Sequence, residues 1–151
     1  MRHWLMKCEP HAYAIHDLAR DKTTTWEGVR NYQARNFMRD DMQVGDPVIF
    51  YHSNSKPPAA VGLATVSQTA EPDYFAWDDT HKYYDPRSTR DNPIWVMVRI
   101  AYVATFTRPV SIHQMRQTPD LAGLLLLRPG SRLSITPITA SEYQCLCDLG
   151  L

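Results

Sequence analysis

Five stretches of the chain are rich in apolar and β-branched residues and are separated by glycine, proline or polar residues. Runs of about four to eight such residues between turn signals are typical of β-strands. The longest stretch carries Arg99 as its lone charge, and Pro109 is expected to end it. The predicted strands are residues 2–8, Val48–His52, Ala59–Thr69, Ile94–Phe106 and Leu133–Thr136, the last broken by Pro137.

Four other stretches have helical spacing or helix-capping residues. Ile15 and Leu18 are three residues apart and predict an inward face for a first short helix. Ser111 is suited to cap a third helix, and Thr139 with Glu142 three residues later has the spacing of a capping box. The predicted helices are Ile15–Arg20, Gln33–Asp40, Ser111–Gln117 and Thr139–Leu149.

The connecting segments contain specific turn signals. Lys22–Tyr32 is predicted as a loop, and Glu71–Asn92 as an irregular segment whose many aromatic residues pack over the body of the protein. Pro47 lacks an amide donor and is expected at the first position of its strand or on an edge. Gly62 predicts a bulge or a close backbone approach.

Strands that do not alternate with long helices favour a mostly antiparallel sheet, and small curled sheets often close into barrels. We therefore predict an α+β, mostly β fold of about five or six strands with short flanking helices. The chain of 151 residues suits one domain, 1–151. The predicted core contains Leu5, Val48, Phe50, Val61, Val96, Val98, Ile100 and Leu133.

The formal net charge is zero, which argues against binding nucleic acid through bulk electrostatics. The sixteen basic residues are twelve arginines and four lysines. Arginine is the planar donor that suits phosphates and base edges, so local recognition stays possible. A genome that favours arginine codons would explain the same excess.

The three cysteines, Cys8, Cys145 and Cys147, cannot form a complete disulfide framework, and no metal or cofactor motif is present. The start of the chain has no secretory signal, and no apolar run approaches the roughly 20 residues that span a bilayer. We expect a cytoplasmic, monomeric protein with no membrane partner and no cofactor.

The most distinctive chemistry lies in residues 24–36 and 50–54. The first segment combines two aromatic rings, two guanidinium groups and three side-chain amides. Aromatic faces stack on bases, amides read base edges and arginines bind phosphate. The candidate base-pocket residues are Lys7, Trp26, Asn31, Tyr32, Gln33, Tyr51, His52, Ser53 and Ser134. The candidate phosphate-binding residues are Arg30, Arg35, Arg39, Lys56 and Arg132.

Each of these residues also has an ordinary structural interpretation. Trp26 could belong to the core. Asn31 and Gln33 could cap the second helix, and the arginines could be solvated surface charges. The segment 83–85 could be a lid over the pocket or a structural plug.

The motifs Trp4–Pro10, Trp26–Asn36, Phe50–Asn54, Tyr84–Pro86 and Arg132–Ser134 closely resemble the EVE domain. The resemblance runs from about residue 3 to residue 149. It implies a PUA-like pseudo-barrel related to the YTH and ASCH domains. Three residues depart from the family pattern: Cys8 in place of serine, Ala59 in place of glycine, and Pro129 in place of a polar residue.

The resemblance implies a non-catalytic module that binds nucleic acid with a modified base, 5-methylcytosine or 5-hydroxymethylcytosine in DNA being favoured. The base would be flipped into the pocket, and Cys8 could tune which modification is accepted. Two alternatives are an RNA-binding PUA-like module and an enzyme that acts on a nucleoside-like small molecule. A dyad of His52 and Ser53 is disfavoured, because adjacent residues on a strand point to opposite faces.

Overall fold

A computed structural model describes all of residues 1–151. Six strands form one mixed sheet in the order β2-β5-β4-β3-β1-β6. The pairing of β1 with β3 is parallel and the other pairings are antiparallel, as the mostly antiparallel prediction requires. The strands are β1 His3–Cys8, β2 Thr23–Trp26, β3 Pro47–His52, β4 Ala59–Pro72, β5 Val96–Ser111 and β6 Ile135–Ile138.

Four short α-helices flank the sheet. They are α1 Ile15–Asp21, α2 Tyr32–Asn36, α3 Ile112–Arg116 and α4 Ala140–Gly150. A π-helical turn, Phe37–Asp41, continues α2, and 3₁₀ turns lie at Tyr74–Trp77, Pro119–Leu121 and Leu125–Leu127. None of these helices is long and apolar enough to cross a membrane.

The sheet buries both of its faces. In β1, Trp4 and Met6 pack into one hydrophobic core and Leu5 packs into a second core on the opposite face. Helices α1 and α2 contribute buried residues to the first core, and α3 and α4 contribute them to the second. This two-sided burial explains why β1 reads as a continuous apolar run.

The predicted core is largely confirmed. Six of its eight residues are buried, and the remaining two, Val96 and Leu133, are half-buried. The predicted caps are present: Ser111 accepts from the amide of Gln114, and Thr139 forms a capping box with Glu142. Burial and capping therefore follow directly from the sequence pattern.

Three details of the predicted strands are wrong. Thr23–Trp26, expected within a loop, is strand β2. Strand β5 continues past Pro109, because this residue lies in an irregular stretch between the pairs Gly62↔Thr105 and Ala60↔Val110. Pro137 lies inside β6, which pairs only with β1. An edge strand tolerates proline, because the missing amide donor can face the unpaired side.

The two expected backbone signals in β3 and β4 are confirmed. Pro47 is the first residue of β3. The register of β4 shifts between Ala60 and Gly62, which is a bulge. A Cβ atom on Gly62 would lie 2.6 Å from the carbonyl oxygen of Ala104, so the close backbone approach also requires glycine.

Candidate functional site

A cleft of about 930 Å³ lies between the carboxyl end of β1 and strand β2 with the loop that follows it. Its walls come from residues 7–13 at the end of β1, residues 24–30 of β2 and the loop that follows, and residues 81–83 of the irregular segment. Ser53, Arg132 and Ser134 complete the lining. Five separate parts of the chain therefore meet at one site.

Strand ends bring the first group of lining residues together. Because β1 and β3 run parallel, their carboxyl ends lie side by side, and the amide of Ser53 donates to the carbonyl of Cys8 at 3.0 Å. The amide of Lys7 donates to the carbonyl of Ser134 at 2.8 Å. The ends of two adjacent strands and the residue before β6 thus form one wall.

Trp26 belongs both to the core and to the cleft. Its side chain is only 8% exposed and meets the ring of Phe50 edge-on, with the ring centres 5.7 Å apart. Trp26 also lines the cleft. The two interpretations of this tryptophan are therefore compatible: most of the side chain fills the core, and its small exposed part forms cleft wall.

The buried carboxylate of Asp73 ties two cleft walls together. One oxygen, Oδ2, accepts from the amide of Gly28 at 2.9 Å and from Nη1 of Arg30 at 3.0 Å. The other, Oδ1, accepts from the amide of Phe75 at 3.1 Å. Arg30 in turn donates to the carbonyl of Tyr83. The loop after β2 and the segment 81–83 are thus held at a fixed spacing.

Gly28 is required where these walls meet. Its φ angle is +80°, which side chains rarely adopt, and a Cβ atom would lie 2.3 Å from the ring of Tyr83. The ring of Tyr83 therefore packs directly on the backbone of Gly28. The structure favours the plug interpretation of Tyr83 while leaving its ring part of the cleft wall.

Cations and aromatic rings alternate behind this wall. The guanidinium of Arg35 lies 4.8 Å from the ring centre of Tyr32, which stacks on Trp95 at 4.9 Å. The guanidinium of Arg30 lies 5.4 Å from the ring centre of Trp95 and 5.6 Å from that of Tyr83. Such contacts contribute about 0.5–2 kcal/mol each, so this stack stabilises the cleft wall from behind.

The cleft contains cations that have no carboxylate partner. Lys7, Lys82 and Arg132 line it and form no ion pair, and Lys82 lies 5.0 Å from the ring centre of Tyr83. Burial lowers the pKa of Lys7 below its usual range. These groups give a neutral protein a local concentration of unpaired positive charge.

Three predicted pocket residues on or beside α2 do not line this cleft. Asn31 caps α2 by accepting from the amide of Ala34. Tyr32 stacks on Trp95 and is otherwise exposed. Gln33 is exposed on the surface of α2. The residue types that would bind a nucleobase are thus used here for helix capping and for aromatic stacking within the protein.

Two predicted pocket residues of β3 also lie elsewhere. Tyr51 is buried in the second core, and burial raises its pKa to about 12. His52 points to the opposite face, where its Nε2 atom accepts from the amide of Ile15 at 3.1 Å. By contrast, Lys7, Trp26, Ser53 and Ser134 do line the cleft.

Most of the predicted phosphate-binding cations are already engaged within the fold. Arg30 pairs with Asp73, Arg35 donates to Asn36 and to the carbonyl of Ile94, and Arg39 pairs with Asp40. Lys56 is exposed but does not line the cleft. Arg132 is exposed at the cleft and forms no ion pair.

Several charged or titratable residues of the cleft were not among the predicted site residues, including Glu27, His81 and Lys82. Glu27 lies inside the motif that carries the family resemblance, and its position next to Trp26 could have indicated that it lines the cleft. His81 and Lys82 precede Tyr83 in an irregular segment, where no periodicity indicates which side chains face inward.

The cleft offers weak support for nucleophilic or metal chemistry. Burial raises the pKa of the Cys8 thiol to about 11, so the thiol is protonated at neutral pH and is a poor nucleophile. His52 is held at the start of α1 by the amide of Ile15. No group of three potential metal ligands is present.

We expect His52 to make stability depend on pH. Burial lowers its pKa below the usual value of about 6.5, and the nearby His16 lowers it further. The unfolded chain therefore binds the proton more readily, and the free energy of unfolding should fall as the pH drops below about 7. Urea unfolding at about pH 7.5 and pH 5.5 should show a larger loss for the wild type than for His52→Gln.

The exposed His113 provides the control for this measurement. His113→Gln should keep the pH dependence of the wild type. An unchanged pH dependence in His52→Gln would contradict the role assigned to the contact with Ile15.

A six-stranded mixed sheet with short helices on both faces defines an α+β, PUA-like pseudo-barrel. Residues 2–149 match the family model for the EVE domain, and the chain belongs to this family.

Two solved structures and one curated relative illustrate the similarity. Human thymocyte nuclear protein 1 is 37% identical, with 97% of this chain and 73% of that protein covered. A crystal structure of a protein from Pseudomonas syringae is 39% identical, has a TM-score of 0.94, and covers 99% of each chain. The human THYN1 protein in complex with 5-methylcytosine-containing DNA is 36% identical and has a TM-score of 0.90, with 99% of this chain and 97% of that chain covered.

Proposed function

We propose that this protein binds DNA containing 5-methylcytosine, without catalysis, and that the cleft receives the methylated base after it has turned out of the duplex. The DNA complex of the human THYN1 protein supports the class of ligand. The observation that carries the proposal is the cleft itself, which combines an aromatic wall, hydroxyl and amine groups and unpaired cations.

The size and walls of the cleft suit this ligand. A volume of about 930 Å³ lies near the upper end of the roughly 300–1,000 Å³ found for small-molecule sites, which leaves room for a nucleotide and its phosphates. Extruding a base costs a few kcal/mol, and stacking on an aromatic ring returns about 1–3 kcal/mol. Trp26 and Tyr83 provide the rings for this stacking.

The polar lining divides into two roles in the proposed complex. The half-buried ammonium of Lys7 and the hydroxyls of Ser53 and Ser134 meet the edge of the base. The exposed Arg132 and Lys82 meet the phosphates on either side. Because these phosphate contacts are few, affinity should depend on salt with a shallow slope.

Cys8 contributes a small, neutral and weakly polar group to the same lining. A protonated thiol is a weak hydrogen-bond partner and behaves as a small hydrophobe. It therefore suits the methyl group of 5-methylcytosine better than the hydroxyl of 5-hydroxymethylcytosine.

Duplex oligonucleotides that differ in one 5-methyl group test the proposal. Burying one methyl group is worth about 0.8 kcal/mol, so the methylated duplex should bind about fourfold more tightly than the plain one. Fluorescence anisotropy measures both affinities, and an RNA of the same sequence serves as a third ligand. Equal affinity for the two duplexes, or tighter binding of the RNA, would contradict the proposal.

The salt dependence of the same titrations tests the phosphate contacts. Arg132→Gln should reduce the slope of log affinity against log salt by about one. Arg108→Gln is the matched control, because Arg108 is also exposed but donates to the carbonyl of Leu151 outside the cleft. A slope that is the same in both variants would remove Arg132 from the interface.

A further inference from the structure

Two carboxylates line a cleft that is otherwise rich in cations, and they differ in their partners. Glu9 pairs with Nε2 of His11 at 3.0 Å and is exposed. Glu27 is half-buried and has no cationic partner within ion-pair distance. Because no cation of the protein pairs with it, the carboxylate of Glu27 is available to a hydrogen-bond donor of a ligand in the cleft.

The fold positions Glu27 for such a donor. Thr25 Oγ1 donates to Oε2 of Glu27 at 2.7 Å, which fixes one carboxylate oxygen. The other oxygen, Oε1, accepts no hydrogen bond within the protein. Glu27 lies between Trp26, a cleft wall, and Gly28, whose amide is held by Asp73. The backbone on both sides of Glu27 is therefore held in place, and the hydrogen bond from Thr25 fixes the carboxylate that carries the free oxygen.

The chemistry of DNA limits which groups can donate a hydrogen bond to this oxygen. A carboxylate repels phosphates, so Glu27 weakens contact with the backbone. The donors that DNA offers are the amino groups and ring N–H groups of its bases. A carboxylate commonly accepts from the 4-amino group of cytosine. A negative group in a phosphate-binding cleft is thus best explained as a base-reading group.

We propose that Glu27 is a specificity-determining residue that accepts a hydrogen bond from the 4-amino group of the cytosine ring. Thymine carries the same 5-methyl group but has a carbonyl oxygen at position 4, which Glu27 repels. The carboxylate thereby separates 5-methylcytosine from thymine, which the methyl-binding part of the cleft cannot do. This inference rests on the proposed function.

Single-base comparisons of 5-methylcytosine with thymine test this role. The probes are duplexes with one 5-methylcytosine or one thymine, each opposite guanine, so that the methyl group is constant. A good base-edge contact discriminates by about 1–3 kcal/mol, so the wild type should prefer 5-methylcytosine by about fivefold to 150-fold. In Glu27→Gln this preference should fall to about threefold or less, because an amide can turn its donor toward the thymine carbonyl.

The variant should also bind the thymine duplex more tightly than the wild type, because a charge that repels phosphate and carbonyl groups is gone. Glu9→Gln removes the other cleft carboxylate and should keep the wild-type preference. An unchanged preference in Glu27→Gln would overturn the role of Glu27 while leaving the binding of methylated DNA intact. A wild type that binds neither duplex would overturn the proposed function and this inference together.

Discussion

Asp73→Ala is expected to lower the free energy of unfolding by about 3–5 kcal/mol, the usual cost of removing one partner of a buried ion pair. The Asp73 side chain is fully buried and that of Arg30 is only 23% exposed. The substitution removes the one carboxylate that pairs with Arg30 and leaves the amides of Gly28 and Phe75 without their acceptor. Urea unfolding followed by circular dichroism measures the loss.

The same substitution should also abolish tight DNA binding, because Tyr83 and the loop after β2 lose their common anchor. Asp73→Asn is a milder variant: its amide cannot accept on both sides, so one set of donors stays unpaired. Asp40→Ala is the matched control, since Asp40 pairs with Arg39 on the open surface and such pairs contribute little. Equal effects at positions 73 and 40 would show that Asp73 does not connect the walls.

Trp26→Ala is expected to lose both stability and binding. Removing a buried aromatic side chain costs about 3–5 kcal/mol of stability. Removing a stacking surface costs about 1–3 kcal/mol of binding, which weakens affinity by about tenfold to a hundredfold. The two losses are measured separately, by urea unfolding and by titration with methylated DNA at a temperature where the variant is folded.

Phe106→Ala separates these two effects. Phe106 is buried in the second core, on the other face of the sheet, so its removal should cost similar stability but leave affinity unchanged. Trp26→Phe keeps most of the core filled and should lose less of both quantities. If Trp26→Ala and Phe106→Ala weaken binding equally, Trp26 acts through stability alone.

The hydrophobic pattern predicted the strands whose residues fill the cores. The strand β3 was visible because its apolar run is bounded by polar turns. Strand β2 was not predicted, because Thr23–Thr25 favour a strand but have no apolar side chains that would mark a buried face. This four-residue edge strand forms only through its pairing with β5. Local sequence does not specify pairing with a strand more than seventy residues away.

The candidate site was predictable in composition but only partly in position. Four of the predicted residues line the cleft, namely Lys7, Trp26, Ser53 and Ser134. The polar residues that follow Gly28 instead form α2 and the stack of Arg35, Tyr32 and Trp95. Amides and arginines that suit a nucleobase also suit a helix cap or a ring face. Only the tertiary contacts of Asp73 and Trp95, far along the chain, decide between these uses.

The cleft contains residues from both ends of the chain, as the hydrogen bond from Lys7 to Ser134 illustrates. Contacts between residues so far apart form late, because long loops must close before these contacts are made. A nascent chain emerging from the ribosome contains Trp26 long before it contains Arg132 and Ser134. The cleft is therefore completed only after residues 132–134 have been synthesised and released, and chains that end before them lack one of its walls.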